Sequence, residues 1–444
     1  MRNSLASTYA HVARIRLGQR RRLLGFGVAV AVAAPLFVGS TSASGATGSV
    51  ENASVVSDWN AIALSTLAGD TTKHPNESFL YMGFVHAAIY DAVVGVKGRY
   101  EPYSFDRRAR RGTSATAAAA AAGHKILATY SPYAQAALDA ALATSLAGIP
   151  DGAAKTNGVA FGEQAAQNLI DLRAHDGRNA AVLFTMPPGP GVWRATPPAF
   201  APMAVPWAGG TTPLLVRSAT QFAPPAPPAL TSERYTRDFA EVKAVGSDTS
   251  TERTADQTAT ARFFSGNAIV QFNAALRDQA TTRGLNIVDS ARMFAAVDMT
   301  VADAFITTWR AKLFYGIWRP STAIQLADTD GNPATLADPT WKPLIVDPPY
   351  PDYVSGYNAV AASASRALEE LFGRGHLNLT LISTAVPGAV RHYDSGWALR
   401  SDVVDARVWL GIHFRFADVA ARNLSIRLAD WTLDHYFQPV RDHN

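Results

Sequence analysis

Lys312-Leu-Phe-Tyr-Gly-Ile-Trp-Arg319-Pro320 is the stretch from which the fold is first legible. It closes a long apolar-periodic run whose spacing predicts a helix over 285–315. Lys312 and Arg319 are seven residues apart, so on a continuous helix they stand roughly 20° apart and can face one site. Pro320 then stops the helix. Taken alone, such a pair also fits an ordinary solvated helix face.

Two further motifs follow in order. Pro351-Asp-Tyr-Val-Ser355-Gly356-Tyr357 precedes the helical run Ala359–Leu371. Free backbone N–H groups at a helix start bind anions, and glycine lets an oxyanion come close. Ser355 adds a hydroxyl donor, although Ser-Gly here also reads as a plain helix cap. Arg407-Val-Trp-Leu-Gly-Ile-His413-Phe-Arg-Phe416 is the third motif. Arg407 and His413 reach one site if the helix ends near Gly411 or if Arg407 bends inward. Asp418 and Asp405 are candidates to hold the second imidazole nitrogen, and spacing does not choose between them. Three cations, a helix start and one histidine suit the binding of a tetrahedral or trigonal-bipyramidal oxyanion against an imidazole nitrogen.

Outward from these motifs the pattern is helical. Helical spacing relates Trp59, Ile62, Ala63 and Leu67, and also Leu80, Phe84, Ala87, Tyr90 and Val94. Alanine-rich 116–127 and 133–146 favour helix by propensity. Further helices are expected over 233–245, starting at Thr231-Ser-Glu-Arg, and over 254–279, 357–373, 390–412 and 416–436. No long β-alternation is visible, so the chain reads as all-α. Residues 186–230 hold 12 of the 26 prolines, interleaved with Trp193, Phe200, Trp207 and Phe222. The large aromatics predict an ordered irregular strap rather than a disordered linker. The expected organisation is an export signal at 1–46, an N-terminal helical region at 47–185, the strap at 186–232, and a helical bundle carrying the oxyanion site at 233–444.

The chain is 48% hydrophobic and only 17% charged over 444 residues, which supports a large core. Arg14, Arg16 and Arg20 to Arg22 form a basic start, Leu23 to Val38 is apolar, and small residues follow at Thr41–Ala43 and Ser44–Ala46. That order predicts an export signal, by the Sec or the twin-arginine route, and a secreted protein with no membrane span after cleavage. A retained anchor is the alternative, although the apolar run is short for a span. Residues 1–46 contain six arginines and no acid, so the remainder carries +4 − 6 = −2. The overall basicity therefore belongs to the leader and implies no nucleic-acid partner. The absence of cysteine rules out a cysteine nucleophile, a zinc–cysteine site and an iron–sulfur cluster. The sequence does not set an oligomeric state.

The three motifs in this order resemble those of the vanadium-dependent haloperoxidases and of the type 2 phosphatidic-acid phosphatase (PAP2) superfamily to which they belong. The pattern K-x6-R-P, P-S-G-H, S-R-x5-H is matched at Lys312, Arg319, Pro320, Ser355, Gly356, Arg407 and His413. Asp58-Trp-Asn-Ala, Gly83-Phe-Val-His-Ala-Ala, Gly191-Val-Trp-Arg and the strap are similar to the secreted bacterial branch. The resemblance implies a helical bundle of the haloperoxidase and acid-phosphatase type, with vanadate as cofactor, or phosphate as substrate or inhibitor in the same site. It implies that His413 is the axial vanadium ligand or the phosphorylated nucleophile. Lys312, Arg319 and Arg407 would neutralise the equatorial oxygens, and Ser355 and Gly356 would donate to them. The partners are then hydrogen peroxide and halide, giving hypohalous acid, or a phosphate ester. A non-catalytic descendant that binds an oxyanion or a partner is the third reading. Two positions depart from the pattern. Tyr357 stands where the family has an acid–base histidine, and a phenol with a pKa near ~10 is a poor proton shuttle at neutral pH. Ala406 replaces the serine of the third motif. His392 is the nearest substitute acid–base group. The remaining histidines of the mature chain, such as His86, show no metal-like spacing.

Overall fold

In the computed structural model, residues 51–440 are described. The segment read as an export signal lies outside them. Thirteen α-helices occur among the described residues: α1 (Ser54–Gly69), α2 (Ser78–Lys97), α3 (Ala115–Tyr130), α4 (Gln135–Ala147), α5 (Ala153–Leu172), α6 (Glu233–Val245), α7 (Ala255–Phe263), α8 (Ala268–Thr282), α9 (Ile287–Tyr315), α10 (Pro320–Gln325), α11 (Gly356–Phe372), α12 (Gly396–Trp409) and α13 (Arg415–His435). One antiparallel hairpin, β1 (Leu379–Ile382) with β2 (Val390–Tyr393), pairs Leu379 with Tyr393 and Ile382 with Val390.

The long helix α9 organises the molecule. Asn286 caps its start, its Oδ1 accepting from the N–H groups of Val288 and Asp289, both at 3.0 Å. Gly316, in the left-handed region at φ 56°, ends it. Most of α9 is buried because α2 packs on one side and α11 on another. The α2 crossing is close: a Cβ on Gly83 would lie 2.9 Å from the Cβ of Ala302. Residues from α1 to α5 therefore share one core with residues from α8, α9, α11 and α12.

Several expectations are met closely. Ser232 caps α6, with Oγ accepting from Tyr235 N–H at 3.2 Å. The strap is ordered, with Trp193 and Trp207 buried, although Phe200 is 64% exposed. Its tether is Asp303 of α9, whose carboxylate accepts from Leu214, Leu215 and Val216 N–H at 2.6, 2.7 and 2.8 Å.

Three expectations are corrected. The 254–279 helix is two helices, because Asn267 starts a new one by accepting from Ile269 N–H at 3.1 Å. The 390–412 helix begins only at Gly396, since 390–393 is strand β2, fixed by pairing with β1. Lys312 and Arg319 do not share a helix. The chain turns at Gly316, Arg319 is the residue before α10, and Pro320 opens that helix rather than stopping the earlier one.

Candidate oxyanion site

The turn after α9 brings Arg319 back beside the end of α9, so both cations meet the loop 350–352. Lys312 Nζ donates to the carbonyls of Pro351 (2.6 Å) and Asp352 (3.1 Å). Arg319 Nε donates to Tyr350 O at 2.8 Å, and its Nη1 donates to Ile412 O at 2.7 Å. Both side chains are wholly buried. The third motif arrives through a second turn. Gly411 is left-handed at φ 77°, and a Cβ there would lie 2.3 Å from Gly246 O, so only glycine fits. This ends α12 soon after Arg407 and swings His413 back toward Arg319, whose Nη1 lies 3.4 Å from His413 Nε2.

Ser355 is the residue before α11 and is fully buried. Its hydroxyl does not cap the helix; it accepts only a long 3.4 Å contact from Asn358 Nδ2. Gly356 and Tyr357, whose N–H groups at the start of α11 have no intrahelical partner, line a cavity of about 300 Å³ together with Arg407, His413, Trp309 and Tyr350. Of the eight site residues expected from the sequence, Gly356, Tyr357, Arg407 and His413 line this cavity. Lys312, Arg319 and Ser355 are buried against its lining: Arg319 beside His413, Lys312 over the Trp309 and Tyr350 rings, Ser355 directly before Gly356. His392 is in neither group. It lies on the exposed side of β2, bonded to Thr380 Oγ1 and Asp394, because the hairpin turns that face to solvent.

The partner of His413 is neither Asp418 nor Asp405. Asp352 Oδ1 lies 2.5 Å from His413 Nδ1. Asp405 instead pairs with Arg415 at 2.7 Å, and Asp418 accepts from Asn358 Nδ2 at 2.7 Å. Sixty-one residues separate Asp352 from His413, so spacing carried no signal for the pair. Its place in the Pro-Asp-Tyr loop, just ahead of Ser355-Gly356, was the available clue. With Nδ1–H donated to Asp352, Nε2 is the unprotonated ring nitrogen, beside Arg319 Nη1 in a residue that lines the cavity.

Charge in this site is held under strain. Burial pushes the Asp352 carboxyl up to about 7, against the pull of Arg319 and Lys312. Burial likewise holds Lys312 and His413 well below their ordinary ranges, reinforced in both by Arg319. A bound anion would oppose these effects and favour the cationic forms. The donor set also fits a bound oxyanion. Arg319 Nη2 and Arg407 Nε are buried N–H groups without a hydrogen-bond partner. A tetrahedral anion accepting from both, and from the α11 start, would satisfy them. Tyr357 is committed elsewhere. Its hydroxyl donates to Gln271 Oε1 on α8, its ring lies against the Arg407 guanidinium with 4.9 Å to the centroid, and burial pushes its phenol upward.

Residues 292–442 match the family described as the VCPO second helical-bundle domain. Vanadium chloroperoxidase from Curvularia inaequalis is 29% identical over 188 residues, covering 32% of this chain and 30% of that protein. The chain thus matches less than a third of that relative's length. A bacterial vanadium-dependent iodoperoxidase structure superposes with a TM-score of 0.73 at 22% identity, covering 88% of this chain and 97% of that one. The apo form of a bacterial vanadium-dependent chloroperoxidase gives 0.66 at 17% identity, covering 81% and 92%. The helical-bundle fold is that of the vanadium haloperoxidases, and the motif resemblance to their superfamily holds.

Proposed function

We propose that this chain binds vanadate and acts as a haloperoxidase-like oxidoreductase, using hydrogen peroxide to oxidise halide. One observation carries this: three buried cations, two with unpartnered N–H groups, surround an imidazole whose far nitrogen is held by Asp352. Similarity to vanadium chloroperoxidase over part of the chain supports the choice of anion. His413 Nε2 would hold the vanadate. Lys312, Arg319 and Arg407 would balance the oxygens, with Ser355 and the start of α11 donating to them. Vanadate held there supplies peroxide activation for two-electron oxidation of halide. The protein's part is to bind, orient and desolvate the anion, and to keep the His413 lone pair directed inward.

The same geometry supports a second reading, a phosphatase. The Asp352–His413 pair leaves a nitrogen lone pair aimed into an anion pocket, which is the arrangement a phosphohistidine mechanism needs. Halide oxidation by purified protein with and without added vanadate, run beside phenol release from an aryl phosphate, separates the two. Vanadate-dependent oxidation supports the haloperoxidase. Burst release of phenol without vanadate supports the phosphatase, and phosphate binding with neither activity supports a non-catalytic oxyanion binder. We also propose that residues 1–46 direct export, so that the enzyme works outside the cell.

A further inference from the structure

Each cation of the site rests on an aromatic face. Lys312 Nζ and the Arg319 guanidinium both lie 5.0 Å from the Tyr350 ring centroid, and Lys312 Nζ is also 5.8 Å from Trp309. Arg407 lies 4.9 Å from the Tyr357 centroid. The platforms are themselves fixed. Trp309 packs on Tyr350 at 5.0 Å, and Tyr350 also offers its backbone carbonyl to Arg319. Tyr357 is pinned at its far end by Gln271, a buried side chain whose Nε2 donates to Ile382 O at 3.0 Å. Phe264 meets the Tyr357 ring edge-on at 6.1 Å, and its carbonyl accepts from Arg407 Nη1 at 2.9 Å.

A cation can be positioned in two ways. A carboxylate holds it strongly but cancels its charge. A ring face holds it through the quadrupole and leaves the charge available to an incoming anion.

We propose that Tyr350 and Tyr357 are positioning residues that hold the three oxyanion-binding cations by their ring faces, with Gln271 fixing the Tyr357 ring. Tyr357 then serves the site through its ring, and its hydroxyl serves as an anchor to Gln271 rather than as a proton carrier. This deepens the oxyanion-site assignment and rests on it.

The test compares leucine with phenylalanine at each position. Dissociation constants for inorganic phosphate and for orthovanadate are measured by titration calorimetry, without peroxide, on Tyr350→Leu, Tyr350→Phe, Tyr357→Leu, Tyr357→Phe and Gln271→Leu. Removing the ring is expected to weaken both anions by about 5- to 30-fold. Phenylalanine should bind at least about fivefold more tightly than leucine at the same position, a rescue that a merely space-filling role does not give. Gln271→Leu should weaken binding less than Tyr357→Leu. If a leucine variant does not fold, methionine replaces it in the comparison. Equal affinities for the leucine and phenylalanine variants at both positions overturn the inference, whatever the halide assay shows. So does a Tyr357→Phe variant that binds anions as tightly as the parent but loses turnover by more than about a hundredfold, because the hydroxyl would then be the proton carrier. A parent protein that binds phosphate and shows aromatic dependence but oxidises no halide overturns only the activity.

Discussion

Replacing Asp352 with asparagine probes the orientation of His413 most directly. The exchange keeps shape and removes charge. In the parent, the 2.5 Å contact fixes the imidazole proton on Nδ1 and leaves Nε2 as the bare nitrogen. Asparagine can present either its oxygen or its amide nitrogen to Nδ1. The second choice moves the proton to Nε2 and blocks the nitrogen that must meet the oxyanion. Even the first choice loses a charge-assisted hydrogen bond, worth roughly 1.5–3 kcal/mol. That corresponds to about 10- to 150-fold in affinity for vanadate, in line with the ~10- to 100-fold cost of removing outer partners of metal ligands. Arg319 Nη1, 3.9 Å from the same carboxylate oxygen, also loses a partner, but it keeps the carbonyls of Tyr350 and Ile412. The unliganded fold should therefore persist. Vanadium-51 NMR titration gives the affinity, and thermal melts without anion give the stability. An affinity within threefold of the parent, with an unchanged melt, would refute the orienting role of Asp352.

Other consequences are open to measurement. Burial raises the Asp298 carboxyl to about 7, so between about pH 4 and 7 the folded chain holds a proton that the unfolded chain has released. Its contribution is present below pH 4 and is lost as pH rises to 7; the change is on the order of 4 kcal/mol. Asp298→Asn keeps an acceptor for Asn273 Nδ2, and in denaturant melts it should be more stable than the parent at pH 8, with the advantage shrinking toward pH 5. Asp303→Ala removes the acceptor for three strap N–H groups and should cost at least ~3 kcal/mol, with earlier proteolysis in 205–216; resistance equal to the parent would show that the strap is held elsewhere. N-terminal sequencing of exported protein should begin after Ala43 or Ala46, and an intact Met1 in membranes would favour an anchor.

Most helices were legible because their apolar spacing is long and their caps are local, as with Ser232 before α6 and Asn286 before α9. What sequence could not give was whatever tertiary contacts decide. β2 looks helical until β1 pairs with it, and the shared helix of Lys312 and Arg319 dissolves at one left-handed glycine. The site shows the same division. Motif residues from three separated stretches were identifiable by type and order. Asp352 as the histidine's partner, and Gln271 as the anchor of Tyr357, act across 61 and 86 residues, beyond any periodicity. His392 failed for the complementary reason, since proximity in sequence to the motifs does not place a side chain in their cavity.

The close crossing at Gly83 bears on portability. Every residue of the three motifs lies within 292–442, which suggests a cassette to cut out and graft. The boundary at 292 falls inside α9, past its Asn286 cap, and the face of α9 around Ala302 would lose the helix that shields it. Gln271 and Phe264, which brace Tyr357 and Arg407, would be left behind as well. The oxyanion-site motifs of this chain lie in its last third, but that third is no autonomous module. The α1–α5 helices are part of the apparatus, and transplanting the site means transplanting them too.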